Sequence, residues 1–148
     1  MVPFSFLRSD SKKNKQKKNF PIQKTEQEWE KNLDPLAFQI TRWHKTETPF
    51  TGALLNNKEV GKYCCVCCGK ELFDSATKFD SGTGWPSFFD VLPQATETEI
   101  DSKFGITRTE VHCADCGSHL GHVFPDGPLP TKQRFCMNSA ALQFIKKG

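Results

Sequence analysis

No apolar run in the 148 residues approaches the ~18 that a membrane span requires. Nor is there, near the start, a continuous apolar stretch that could form the core of a secretory signal, so the expectation is a cytoplasmic protein without a membrane partner. Acids are scarce in the same region. Residues 1–20 set only Asp10 against Arg8, Lys12, Lys13, Lys15, Lys17 and Lys18, a net of +5, while the whole chain carries +3. Residues 21–148 are therefore left at −2 and lack the basic surface that nucleic-acid binding needs. The stretch SDSKKNKQKKN has too little apolar content to build a core. It marks residues 1–22 as a disordered basic arm and residues 23–148 as one folded domain. An organellar transit peptide is the alternative for the arm, although such peptides favour Arg and an amphipathic pattern. Seven cysteines is an odd number, and several stand in C-x-x-C pairs. That fits metal binding and thiol chemistry in a reducing compartment, not a secreted disulfide framework.

After the arm, KTEQEWEKNL reads as a short amphipathic helix, with Thr25 as N-cap and Glu28 completing a capping box. PLAFQITRWH adds a second. From Tyr63 onward Gly and Pro punctuate often, and the runs between them favour strands: ATKFD, SFFDVL, TEIDSKFGITRTEVHC with a hairpin turn near Lys103–Gly105, HLGHVF, and RFCMNSAALQFI. The fold class is mainly β, antiparallel, with short N-terminal helices.

The one internal repeat is a knuckle. Cys113-Ala114-Asp115-Cys116-Gly117 is a C-x-x-C-G in which two thiolates share a tight turn and Gly eases the bend after them. Cys65-Val66-Cys67-Cys68-Gly69 repeats it. The other register, Cys64 with Cys67, would put Cys68 where the second knuckle has Gly117. The expected ligands are thus Cys65, Cys68, Cys113 and Cys116. Four thiolates close a tetrahedral site, so one structural Zn2+ per chain is expected. Without metal, the same pairs would be buried or redox-active thiols. The knuckles are separated by 44 residues, more than the usual ribbon spacing, so a sheet must fold between them.

Of the remaining cysteines, Cys64 and Cys67 flank ligands, and Cys136 stands apart. If RFCMN is extended, Arg134, Cys136 and Asn138 share one face. The cation favours the nucleophilic thiolate, and the amide can orient an oxygen. His119 and His122 in HLGHVFPDGP would point to opposite faces of a regular strand. Only a kink or bulge at Gly121 brings them together. With Asp126 they could alternatively form a second metal site. Trp85, held between Gly84 and Pro86, can be core or an apolar wall for a methyl-bearing ligand.

GTGWPSF, HLGHVFPDGP, RFCMNSAAL and the two knuckles together resemble the methionine-R-sulfoxide reductases, the B class of methionine sulfoxide reductase, over about residues 25–147. The resemblance implies two antiparallel sheets, a structural zinc, and reduction of the R epimer of methionine sulfoxide in peptides and proteins. It makes Cys136 the nucleophile and assigns His119, His122 and Asn138 to the sulfoxide oxygen. Asp126 and Arg134 support that network, and Trp85 seats the ε-methyl. The sulfenic acid formed on Cys136 must then be reduced by thioredoxin or another thiol. In many members a resolving cysteine occupies the G-x-G-W-P turn, where this chain has Thr83. A monomeric enzyme of protein repair is expected. A zinc-ribbon binding module would leave the later motifs unexplained, and a cysteine hydrolase would require an acyl-enzyme.

Overall fold

A computed structural model describes residues 20–148, so the expected basic arm lies, through residue 19, outside the described residues. Two helices come first, each with a local reason to start. Thr25 accepts from Glu28 N at 3.1 Å while its own N–H donates to Glu28 Oε1 at 2.8 Å, and this capping box opens α1 (Glu26–Asn32). Asp34 caps α2 (Pro35–Trp43) by accepting from Leu36 N and Ala37 N, with Pro35 in the first turn, where its missing N–H costs nothing. α2 ends at His44, whose backbone is left-handed at φ 61°. The buried stripe of α2, with Ala37, Phe38 and Ile40, packs toward the sheets, and Trp29 of α1 is buried under the Arg42 guanidinium.

Among the described residues, nine antiparallel strands form two sheets. The smaller has the order β2-β1-β9, from β1 (Gly61–Cys65), β2 (Glu71–Asp74) and β9 (Leu142–Lys146). The larger has the order β3-β4-β8-β7-β6-β5. Its members are β3 (Lys78–Phe79), β4 (Ser87–Phe88), β5 (Thr96–Asp101), β6 (Arg108–Cys113), β7 (His119–Phe124) and β8 (Arg134–Met137). The core lies between them. Phe73 stacks on Phe88 at 4.3 Å, and Tyr63 meets Phe88 at 5.0 Å and Phe144 at 4.9 Å. Tyr63, the only tyrosine, is fully buried, and its hydroxyl accepts from Asn57 Nδ2 at 2.7 Å, as a buried phenol requires.

The antiparallel two-sheet architecture and the hairpin at Lys103–Gly105 match expectation. Two readings need correction. The knuckle segment hid β1 and β2, because GKYCC and ELFD are short and the cysteines of GKYCC were read only as part of a metal-binding turn. RFCMNSAALQFI is two strands and not one. It breaks after Met137 into a 3-10 turn, Ser139–Ala141, whose first N–H groups leave the ladder: Ser139 N and Ala140 N donate to the Glu47 carboxylate at 2.9 and 3.0 Å. The chain then crosses from the large sheet to the small one.

Candidate active site

Pairing across the large sheet builds the site. β8 lies between β4 and β7, so Cys136 faces Ser87 on one side and His122 on the other, and His122 faces Glu110 on β6. Cross-strand partners share a face, which lines up Ser87, Cys136, His122 and Glu110 in one row. The opposite face carries Phe135 and Met137 into the core. His119 joins the row because the β6–β7 ladder shifts register between Val111 and His112, passing over Leu120. That bulge sits beside Gly121, whose missing side chain is required: a Cβ there would lie 2.1 Å from the Cys136 carbonyl oxygen. The two imidazoles meet edge to face with ring centroids 5.6 Å apart.

Cys136 is half-buried at a small cavity of about 80 Å³ that it lines with His122, Asn138, Trp85, Phe124 and Arg108. Thr83 Oγ1 lies 3.8 Å from its sulfur, and Ser81 Oγ joins Thr83 and Ser87, each at 2.8 Å. Burial pushes the Cys136 thiol up, and Thr83, Arg134 and Ser87 pull it down without cancelling that effect. The cation expected beside the thiol is present, but burial outweighs it. Arg134 is held by a fork to Asp126, with Nε donating at 2.9 Å and Nη2 at 3.1 Å, and stacks 4.3 Å over Phe124.

Each imidazole has its own carboxylate. His122 Nε2 lies 3.2 Å from Asp101 Oδ2, which also meets Arg108 at 3.5 Å. Burial is the main influence that lowers the His122 pKa, against the opposing pull of Asp101. His119 Nδ1 lies 2.8 Å from Glu110 Oε2 and is nearly inaccessible. Asp126, engaged by Arg134, does not gather with the histidines, so His119, His122 and Asp126 do not form the second metal site; His119 groups instead with His44 and Glu110.

The four thiols that do gather are Cys65, Cys68, Cys113 and Cys116. Their turns superpose in hydrogen bonding: Gly69 N donates to Cys65 O at 2.8 Å, and Gly117 N to Cys113 O at 2.9 Å. Both glycines are left-handed, at φ 83° and 75°. Around a tetrahedral zinc with Zn–S bonds of about 2.3 Å, sulfurs sit about 3.8 Å apart. Here Cys65–Cys116 and Cys68–Cys113 are both 3.6 Å, and all four sulfurs lie within 4.8 Å of one another. The donor set fits a metal ion, and Cys64 and Cys67 stand outside it.

A family model described as the SelR domain matches residues 33–146. The chain belongs to the methionine-R-sulfoxide reductase family. Relatives named peptide methionine sulfoxide reductase MsrB support this. One from Variovorax paradoxus is 53% identical over 133 residues, covering 86% of this chain and 98% of its own. One from Synechococcus is 54% identical over 128 residues, covering 86% and 94%. One from Methanosarcina barkeri is 52% identical over 124 residues, covering 83% and 87%.

In this member of the family, sequence reading missed a residue that ties the site together. The Glu47 backbone is clamped between two expected site residues: its N–H donates to Asn138 Oδ1 at 3.0 Å, and its carbonyl accepts from Trp85 Nε1 at 3.0 Å. Asn138 Nδ2 in turn donates to Leu120 O at 3.1 Å, so the amide braces the β7 bulge from inside. Asp101, Arg108, Glu110 and His44 were missed as well. Charged residues inside strand segments, Asp101 and Glu110, were the sequence signal for two of them, and both are buried.

Proposed function

We propose that this chain reduces the R epimer of methionine sulfoxide in peptides and proteins through a sulfenic acid on Cys136. The observation that carries the reading is the register that sets Cys136 beside His122 on a cavity walled by Trp85. The Cys136 thiolate attacks the sulfoxide sulfur, which gains two electrons while Cys136 loses two. The sulfoxide oxygen takes a proton from His122 or His119 and passes to Cys136, and methionine leaves. Asn138 orients the oxygen. The Trp85 indole, held by Glu47, seats the methyl group and so selects the epimer. Arg134, braced by Asp126, favours the thiolate.

With hydroxyls of Thr83 and Ser87 at the thiol, the sulfenic acid is reduced directly by an external thiol, thioredoxin or a smaller one. A first thiol forms a mixed disulfide and releases water, and a second releases Cys136 and carries away the disulfide. Cys64 is buried in the other sheet and Cys67 lies beside the four-thiol cluster, which supports this route over an internal resolver. The four knuckle thiolates hold one structural zinc, and the domain works as a monomer in the cytoplasm.

The test is turnover of each epimer of a methionine sulfoxide peptide with a dithiol reductant, by the native chain and by Cys136→Ser. The R epimer alone should be reduced, and Cys136→Ser should be inactive yet folded. One equivalent of substrate without reductant should leave a dimedone-reactive Cys136 with Cys64 and Cys67 free. Reduction by Cys136→Ser near the native rate would overturn the mechanism, and a Cys136–Cys64 or Cys136–Cys67 disulfide would overturn the recycling route.

A further inference from the structure

His44 and Glu110 belong to none of the motifs, yet both converge on His119. His44 ends α2 in a left-handed conformation that few non-glycine residues adopt, which aims its ring back at β6 and β7. Its Nδ1 lies 2.9 Å from Glu110 Oε2, the same oxygen that His119 Nδ1 approaches at 2.8 Å. The two rings stack with centroids 5.0 Å apart and an interplanar angle of 27°. Glu110 is 11% exposed at its side chain and His44 45%. We propose, building on the reading of His119 as a proton donor, that Glu110 and His44 are positioning residues that fix the tautomer and ring orientation of His119.

A carboxylate only accepts, so each nitrogen against Oε2 must carry its hydrogen. Burial would push the Glu110 carboxyl up, but the hydrogen bonds from His119 and His44 overcome it and hold the group well below the usual carboxylate range. Glu110 is therefore ionised whenever the enzyme works. His119 is thereby locked with hydrogen on Nδ1, and Nε2 is the nitrogen that carries and releases the reacting proton. On release the ring becomes neutral without turning, because Nδ1 keeps its hydrogen and its partner. His44 supplies the second donor that stops the carboxylate from swinging away, and its face covers His119. The register partner of Glu110 is His122, but that ring is taken by Asp101, itself backed by Arg108, so Glu110 is left to His119. The same three groups could offer ligand atoms to a cation.

The titratable groups against His119 are His44 from the end of α2, Glu110 from β6 and His122 from β7, and behind His122 stand Asp101 from β5 and its partner Arg108 from β6. The experiment combines single-turnover sulfenic acid formation with NMR of isotope-labelled histidine rings in the full-length enzyme. Glu110→Gln keeps the size and removes the charge. It should slow the single-turnover step about tenfold or more, the scale of a lost general acid, leave KM within about twofold, and move the alkaline limb of the pH–rate profile to lower pH. In the native enzyme the neutral His119 ring, as it stands once Nε2 has released its proton, should be the Nδ1–H tautomer alone, and in Glu110→Gln it should show exchange between the two neutral tautomers. His44→Ala should slow the same step, and His44→Gln, which restores a donor toward Glu110, should regain most of what His44→Ala loses. His44→Phe, which restores only the stacked face, should not. Thermal unfolding of each variant separates a misfolded enzyme from a mispositioned ring, and His44→Ala, changed at a half-exposed position, keeps the test open if Glu110→Gln fails to fold. A native rate and unchanged tautomer in Glu110→Gln, beside a slow His119→Ala, would overturn this inference alone. A native rate in His119→Ala would overturn the donor role and the catalytic part of this inference with it.

Discussion

At Cys136 two influences oppose each other, and burial wins over Arg134, Thr83 and Ser87. A raised thiol pKa means that the thiolate appears only at higher pH. Alkylation of Cys136 by iodoacetamide, followed on its own peptide by mass spectrometry, should therefore keep accelerating through pH 9, the ordinary value of a free thiol. Arg134→Gln should move that curve further toward alkaline pH and slow reaction at neutrality, since it removes a cation that favours the anion. A rate that levels off below neutrality would show that Arg134 dominates instead.

At the scale of elements, the β7 bulge decides whether the site exists. His119 and His122 are three apart, a spacing that a regular strand would split between faces. The passed-over Leu120 restores them to one side, and the close approach of Gly121 to β8 keeps the ladder tight there. Gly121→Ala would place a Cβ 2.1 Å from one backbone atom of β8 and 2.9 Å from another. Backbone cannot yield as a flexible side chain does, so the strands must separate. We expect a loss of stability at or beyond the ~1–3 kcal/mol of ordinary overpacking, read as a lower urea midpoint, and turnover reduced far more than the fraction unfolded explains. Turnover that merely follows the folded fraction would mean that the site tolerates the separation. The 3-10 corner at Ser139–Ala141 has a similar standing, because the Glu47 carboxylate holds it in place.

Across the whole molecule, the knuckles pin the small sheet to the large one: Cys65 ends β1 and Cys113 ends β6. Removing the metal should thus loosen the packing between sheets and not only one turn, since metal binding is coupled to folding. Metal analysis should find about one zinc per chain, lost with a large drop in melting temperature in Cys65→Ser or Cys113→Ser and retained in Cys64→Ser and Cys67→Ser. Zinc retained in Cys65→Ser but lost in Cys64→Ser would reverse the choice of ligands. The N-terminal segment gives a second test. Phe20 meets His112 edge to face at 5.7 Å and covers Gly117, and Ile22 N donates to Asp115 O at 2.9 Å. Deleting residues 1–19 should leave kcat and KM within about twofold, as expected for a chain end that carries no site residue. Deleting residues 1–22 should lower the melting temperature by uncovering the second knuckle. Equal stability of the two truncations would show that Phe20 and Ile22 contribute nothing.

Chemistry that depends on residue type at short spacing was legible before any fold was known. C-x-x-C-G needs its glycine and its two thiols within one turn, RFCMN places Arg134 and Cys136 on one face by period alone, and Thr25 with Glu28 announces a helix start because both partners lie within a single turn. The need for a bulge near Gly121 could be stated from parity. What could not be read is every pairing made across the sheet: which carboxylate serves which imidazole, the turn of His44 toward Glu110, the bracing of Trp85 and Asn138 by Glu47, and the break that sends β9 to the other sheet. The Glu47–Asn138 contact spans 91 positions of sequence. No local period or motif encodes such a contact. It follows from strand order and register, and these are settled by how two apolar faces close on one core.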